Sequence, residues 1–113
     1  MVAFGIASVV LIDFPFSDLS RTKQRPAVVL AQANNEDWIL CQVTSNAQID
    51  AKATEIKSSD FAKGSLQKIS YARPNKIFTG HESLINKRVG ILKKEKLENI
   101  IQAIVEILQE GTK

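Results

Sequence analysis

The sequence predicts a mainly β (β+α) fold, a small β-barrel with one amphipathic helix at its C-terminal end. Short apolar, β-branched runs occupy the first 92 residues, prolines at positions 15, 26 and 74 punctuate them, and the last 20 residues have helical periodicity. Many short strands followed by one helix are typical of a small barrel with a helix packed against it. A chain of 113 residues is long enough for one such core, so a single domain over 1–113 is expected.

The predicted strands are rich in apolar and β-branched residues and are bounded by polar or proline-containing segments. Segments 17–24, 32–37 and 45–52 are polar and are expected to be loops or turns. Arg73, Pro74 and Asn75 are expected to break the β pattern. The predicted strands are Ser8–Phe14, Pro26–Ala31, Trp38–Thr44, Thr54–Lys57, Ser65–Ile69, Lys76–Thr79 and Val89–Leu92.

The C-terminal helix is the clearest predicted element. Its apolar residues recur at the i, i+3, i+4, i+7 spacing that places them on one face of a helix. Lys93 and Lys94 stand where Ser, Thr or Asp would cap the first turn, so the helix is expected to begin without a good cap. The apolar face comprises Leu97, Ile100, Ile101, Ile104, Ile107 and Leu108.

Composition narrows the class of protein. A net charge of +3 and a pI of about 9.1 are compatible with a nucleic-acid partner but do not require one. One cysteine and one histidine cannot build a zinc site, and a lone cysteine forms no internal disulfide, which favours an intracellular protein. The N-terminal segment lacks the features of a secretory signal, and no apolar run reaches the roughly 20 residues that span a bilayer.

The second and third predicted strands indicate where a functional site lies. If the hairpin closes symmetrically, Ala31 faces Trp38 near the turn and Arg25 faces Thr44 at the open end. Gln42 lies on the same face, so a guanidinium, an amide and a hydroxyl converge at one rim of the sheet. A solvated rim without function is the simple alternative, and a β-bulge would change the pairing.

Four segments carry a resemblance to a known family: VVLIDFPFSDLSRTKQRPAVVLA, ILCQVTSN, SYARPNKIFT and KRVGILKKEKLENI. In order, they contain an apolar strand, a polar loop and Arg-Pro, then a strand ending in a hydroxyl residue, a closing segment and a final helix. Together they resemble the MazF/PemK-type toxins over nearly the whole chain. The sequence departs from the family at Ala7 and Ser8, where a Gly-Asp pair is frequent, and at Lys93, where Ser often opens the helix.

The resemblance implies an SH3-like barrel, usually a homodimer, acting as a cytoplasmic prokaryotic toxin. It implies an endoribonuclease that needs no metal or other cofactor and cleaves single-stranded RNA. The products would be a 2′,3′-cyclic phosphate and a 5′-hydroxyl. It also implies a cognate antitoxin whose flexible, often acidic segment covers the RNA groove. The competing hypothesis is a non-catalytic SH3-like binding module, either a gyrase poison or an RNA-binding domain.

Residue roles follow from the resemblance and from side-chain chemistry. Arg25 and Thr44 match the family's Arg before Pro and its strand-end hydroxyl residue. Arg25 is expected to stabilise the charge of the transition state, because guanidinium stays protonated and binds phosphate oxygens bidentately. Thr44 is expected to hold a phosphate oxygen or the 2′-hydroxyl. The general base stays open: Asp18 is the preferred candidate, Asp13 is a second, and His81 is expected to be a surface residue.

Further residues are expected to bind RNA through their charge and hydrogen-bonding groups. Phe16 or Trp38 could stack on a base, although Trp38 is expected to be a packing residue because it lies at the turn end of the hairpin. The candidate RNA-binding residues are Ser20, Arg21, Lys23, Gln42, Asn46 and Lys76.

Overall fold

A computed structural model describes residues 4–15, 22–48 and 51–112 of the chain. These residues form one seven-stranded antiparallel sheet and a C-terminal helix, which confirms the predicted mainly β fold with a terminal helix. The strands are β1 (Ser8–Pro15), β2 (Thr22–Gln32), β3 (Asp37–Thr44), β4 (Thr54–Ile56), β5 (Phe61–Gly64), β6 (Ser70–His81) and β7 (Ile85–Leu92). The helix α1 spans Lys94–Glu110, and short 3₁₀ turns lie at Ser58–Asp60 and Glu82–Leu84.

The sheet is curled into a half-barrel. Its strand order is β4-β6-β3-β2-β1-β7-β5, so the two edge strands are β4 and β5. These edges are consecutive in the chain and are joined through the 3₁₀ turn Ser58–Asp60, which draws the two ends of the sheet towards each other. Helix α1 packs against β6 and β4 and covers one edge.

Both faces of the central strands are buried, because residues alternate between two apolar clusters. The helix-side core contains Val28 and Cys41 from the sheet and Ile100 and Ile104 from α1. The second core, on the other face, contains Val10, Ile12, Ala27, Val29, Leu40 and Ile85. The hairpin face that carries Val28, Cys41 and Val43, opposite to the face of Gln42, therefore lies in the helix-side core.

The predicted hairpin pairing is correct at the centre of the β2–β3 hairpin and wrong near its turn. Ala27 faces Gln42 and Val29 faces Leu40, as the symmetric closure predicts. Beyond Val29 the register shifts by one residue, so Ala31 faces Ile39 rather than Trp38. The shift is a β-bulge on β2, where one extra residue occupies the strand. The β2–β3 pairs that the structure describes end at Ala27 and Gln42, so the predicted facing of Arg25 and Thr44 is not among them; Arg25 pairs with Ile12 of β1 and Thr44 with Tyr71 of β6.

Two strand predictions in the second half of the chain are wrong. Residues 65–69 are not a strand; the strand lies just before them, at Phe61–Gly64. The predicted break at 73–75 is also absent, because β6 continues from Ser70 to His81. The pairing of β6 with β3 jumps there, since Cys41 faces Ile77 and Val43 faces Ala72. Pro74 lies in this bulge, where its missing N–H removes no regular ladder bond.

Helix α1 begins without a side-chain cap at Lys93, as predicted. Contacts with the 3₁₀ turn Ser58–Asp60 hold it instead: the Lys93 N–H donates to the Asp60 carbonyl at 2.9 Å. Lys96 Nζ lies 3.6 Å from the Asp60 carboxylate and donates to the Glu55 carbonyl at 3.0 Å. Within the described ranges, no helix has both the length and the apolar character needed to cross a membrane.

Candidate functional site

A cleft of about 490 Å³ opens at one end of the curled sheet. Its size is in the range of about 300–1,000 Å³ that is typical of small-ligand pockets. Apolar atoms of Leu11, Pro26, Val43 and Val89 contribute to its lining, so strands β1, β2, β3 and β7 all reach it. Residues 65–68, which follow β5, complete the lining together with Ser70.

The cleft is strongly cationic. Its lining includes Lys23, Arg25, Lys68 and Lys87, and none of the described lining residues is a carboxylate. None of these cations forms an ion pair with a carboxylate in the described part of the chain. Low-dielectric walls focus the field of charges of one sign, so this cleft attracts anions.

Strand β2 holds Arg25 at the rim of the cleft. The residue pairs with Ile12 of β1, and because Pro26 follows it, its backbone is restricted to extended conformations. Its side chain is half-buried, which removes part of its hydration and strengthens its attraction for an anion. The guanidinium is therefore presented from a rigid strand to whatever enters the cleft.

Thr44 is the last residue of β3 and lines the same cleft. Its Oγ1 accepts a hydrogen bond from the Asn46 N–H at 3.1 Å. Asn46 Oδ1 in turn accepts from the Gln48 N–H at 3.0 Å, which fixes the turn after β3. Because a backbone donor already occupies one lone pair of the hydroxyl, its proton is left to be donated to a ligand oxygen. This geometry suits a hydrogen-bond donor better than a base.

The structure brings some of the predicted site residues together and separates others. Arg25, Thr44 and Lys23 line one cleft. Three predicted residues do not line it. Gln42 pairs with Ala27 inside the sheet, Asn46 lies in the turn after β3, and Lys76 lies in the β6 bulge. Asp18, Ser20, Arg21 and Phe16 lie outside the described residues.

Asp13 and His81, the other two residues considered as the general base, lie outside the cleft lining. Asp13 Oδ1 accepts a hydrogen bond from Asn86 Nδ2 at 2.8 Å, and Asp13 does not line the cleft. His81 lies at the end of β6, where its Nε2 is 2.8 Å from Glu36 Oε2 and its Nδ1 accepts from the Ser83 N–H at 3.0 Å. Its side chain is about half exposed, and it is not among the cleft residues.

Trp38 is a packing residue, as its place near the hairpin turn indicates. Its ring lies edge-on to Phe4 with centroids 4.9 Å apart, and its indole N–H donates to Glu82 Oε2 at 3.4 Å. It packs against the second core and does not line the cleft.

Several cleft residues were not anticipated from the sequence: Lys87 on β7 and Ser65, Gln67 and Lys68 after β5. The sequence predicts residues 65–69 to be a strand, and it predicts β7 to begin only at Val89. Gly64 was the residue that could have indicated this, because an isolated glycine favours a turn with positive φ. Gly64 has φ of 70°.

Cys41 is not a nucleophile of this site. It is fully buried in the helix-side core, and its thiol donates to the Arg73 carbonyl in the β6 bulge at 3.2 Å. Burial raises the pKa of the thiol from 9.0 to about 12, although the hydrogen bond with Arg73 opposes this. The protonated thiol therefore stabilises the fold below pH 9, and this contribution is lost as the pH rises towards 12.

We expect native Cys41 to resist iodoacetamide at pH 8, because only the thiolate reacts and burial both suppresses it and blocks access. The same protein in guanidinium chloride should be alkylated completely within the same period, as measured by intact mass. Equal rates of alkylation in the native and unfolded protein would contradict the buried placement of this thiol.

Comparison with known proteins agrees with this architecture. The family of PemK-like, MazF-like toxins of type II toxin–antitoxin systems matches residues 7–108. No curated protein matches the chain.

Solved structures give the fold. A solved structure of an endoribonuclease in complex with its cognate antitoxin, from Mycobacterial species, superposes with a TM-score of 0.72, at 14% identity over 96% of each chain. MazF from Deinococcus radiodurans superposes with a TM-score of 0.71, at 16% identity over 96% of this chain and 98% of the other. The MazE–MazF complex of the same organism gives 0.72, at 14% identity over 92% and 94%. The chain belongs to the PemK-like, MazF-like toxins of type II toxin–antitoxin systems.

Proposed function

We propose that this protein is a metal-independent endoribonuclease that cleaves single-stranded RNA in the cationic cleft. The observation that carries the proposal is the lining of the cleft. Its cations have no ion-pair partners in the described chain, none of its described residues is a carboxylate, and it includes the hydroxyl of Thr44. A polyanion is the ligand that such a lining favours. Membership of the toxin family supports the same function.

In the proposed reaction the RNA supplies its own nucleophile. The 2′-oxygen attacks the adjacent phosphorus, the bond from phosphorus to the 5′-oxygen breaks, and the leaving oxygen takes up a proton. The products are a 2′,3′-cyclic phosphate and a 5′-hydroxyl. Arg25 stabilises the negative charge that develops on the non-bridging oxygens, and Thr44 donates a hydrogen bond to one of them.

Proton transfer needs a base that takes the 2′-hydroxyl proton. None of the described lining residues is a carboxylate or an imidazole. Asp18, which precedes Lys23 by five residues in the chain, is the base that we propose. Because guanidinium is almost always protonated, Arg25 serves mainly through its charge.

The remaining lysines bind rather than react. Lys23, Lys68 and Lys87 are exposed at the cleft and hold phosphates on either side of the scissile bond. Each phosphate contact releases a counterion from the RNA, so affinity should fall steeply with salt. Phosphate contacts fix the position of the strand and carry no sequence information.

The proposal includes a cognate antitoxin as partner, a homodimeric assembly, a cytoplasmic location in a prokaryote and one domain over 1–113. Solved structures of this fold include one with a cognate antitoxin and one of a MazE–MazF complex. A flexible acidic segment would bind the same cleft cations that RNA uses. Antitoxin and RNA would therefore compete for the cleft.

The decisive test incubates the purified protein with a long single-stranded RNA in EDTA. DNA of the same sequence and 2′-O-methyl RNA serve as controls that lack a free 2′-hydroxyl. We expect discrete RNA fragments ending in a 2′,3′-cyclic phosphate by mass spectrometry, and no cutting of either control. Binding of RNA without any cutting would contradict the nuclease and favour the non-catalytic RNA-binding module. Cutting of DNA would contradict the role of the 2′-hydroxyl.

A further inference from the structure

We propose that residues 65–68, which follow β5, are the base-selecting wall of the cleft and that Gln67 reads the edge of an RNA base. This inference rests on the proposed function, because it takes single-stranded RNA as the ligand. It assigns the preference for particular RNA sequences to a segment that lies outside the β2–β3 hairpin and contains none of the proposed catalytic residues.

The topology places this wall across the open end of the half-barrel. Strand β5 is one edge of the sheet, whereas β6 lies next to the other edge, so residues 65–69 run from one end of the sheet to the other. Residues 65–68 all line the cleft, together with residues of β1, β2, β3 and β7. A strand of RNA that contacts Arg25 and Thr44 therefore also meets this segment.

The wall is anchored at its start by a glycine that no other residue can replace without strain. Gly64 has φ of 70°, and a Cβ built on it would lie 2.2 Å from the Val89 carbonyl oxygen and 2.7 Å from the Gly90 Cα. Both neighbours are backbone atoms of β7 and cannot turn away. The close approach of β5 to β7 thus fixes the direction in which residue 65 leaves the sheet.

Two further anchors lie at the middle and the end of the segment. Leu66 is half-buried and packs on the helix-side core. Ser70 is 4% exposed, and its Oγ donates to the Lys68 carbonyl at 3.0 Å. A segment held at three points presents its exposed side chains in a fixed geometry, and a fixed geometry is what discrimination between similar ligands requires.

The exposed side chains of the wall suit base recognition. Gln67 is exposed at the cleft and carries an amide with two donated protons and an acceptor oxygen, which matches the mixed donors and acceptors of base edges. The charged groups of the cleft recognise phosphates, which are the same in every nucleotide. The neutral amide of Gln67, on an anchored segment, can discriminate between bases, which charged groups cannot do. Lys68, the next residue, holds the neighbouring phosphate.

The test separates base selection from cutting. Affinities are measured by fluorescence anisotropy for 2′-deoxy hexanucleotides whose third base is A, C, G or U, none of which the proposed reaction can cut. In Gln67→Ala we expect the ratio between the best and worst base to fall roughly 10-fold, as for the loss of a two-bond base contact, while the affinity for the worst base changes little. Gln109→Ala, an exposed glutamine on α1, should keep the ratio of the unaltered protein.

Cut sites on a long RNA, mapped by sequencing the 5′ ends, should spread to additional sequences in Gln67→Ala. Gln24, an exposed glutamine of β2 that also lines the cleft, gives a second variant. The inference is overturned if Gln67→Ala leaves the base ratio unchanged, if the unaltered protein has no base preference, or if only Gln24→Ala loses the preference. Failure of the unaltered protein to bind any hexanucleotide would overturn it too. A base preference that depends on Gln67 in a protein that cuts no RNA would support the inference and contradict the proposed nuclease.

Discussion

Replacing Arg25 with alanine should lower the rate of RNA cleavage by about 10²–10³-fold, the usual loss when one group that stabilises transition-state charge is removed. The residue is half-buried at the rim of the cleft and pairs with no described carboxylate, so its charge is available to the substrate. It lies outside both apolar cores, so the variant should fold normally.

Arg88→Ala is the matched control. Arg88 is an exposed arginine on β7, faces Val10 across the β1–β7 pairing and does not line the cleft. Both variants lose one positive charge, so a difference between them reports position rather than net charge. Single-turnover cleavage under identical salt should leave Arg88→Ala close to the unaltered protein. Equal losses in the two variants would remove Arg25 from the site.

Arg25→Lys separates charge from geometry. Lysine restores the positive charge but cannot make two parallel hydrogen bonds to a phosphate. Only partial recovery relative to Arg25→Ala is therefore expected in the same assay. Full recovery would show that a point charge is sufficient.

Replacing Ile100 with alanine should reduce the free energy of unfolding by about 2–5 kcal/mol, the range for removing a large aliphatic side chain from a packed core. Ile100 is 1% exposed and joins α1 to the helix-side core. Alanine is the better helix former, so the loss cannot come from helix propensity. It comes from lost contacts and from the space left between the helix and the sheet.

Leu108→Ala on the same helix is the control, because Leu108 is 60% exposed. Its effect should stay within about 0.5 kcal/mol, as is usual for surface substitutions. Urea unfolding followed by the fluorescence of Trp38 measures both variants, with unchanged m-values as evidence that the transition stays two-state. Similar midpoints for Ile100→Ala and Leu108→Ala would show that α1 is not packed as described.

The sequence was sufficient to predict what depends on local pattern. The C-terminal helix follows from its apolar spacing, and the strands around Val10, Val28 and Cys41 follow from β-branched runs. Hairpin symmetry also placed Ala27 opposite Gln42, and beyond this pair Arg25 and Thr44 line the same cleft. The bulge near Ala31 could not be predicted, because the sequence does not show which residue of the strand lacks a partner.

Residues 65–69 show why local pattern is not sufficient for the rest. The sequence predicts a strand there, but whether a strand forms depends on a partner next to it. The positive φ of Gly64 and its approach to Val89 turn the chain away before that can happen. Lys87 reaches the cleft from a strand far along the chain, so its place depends on how the whole sheet curls.

The 3₁₀ turn Ser58–Asp60, between β4 and β5, connects the two opposite edge strands of the sheet and contacts helix α1. Asp60 accepts the Lys93 N–H and lies 3.6 Å from Lys96 Nζ, so the same residue adjoins both edge strands and the first turn of α1. Local opening at this residue would loosen the helix and both margins of the sheet at once. We therefore expect the amide protons of β4, β5 and the start of α1 to exchange as one cooperative unit rather than as independently fraying ends.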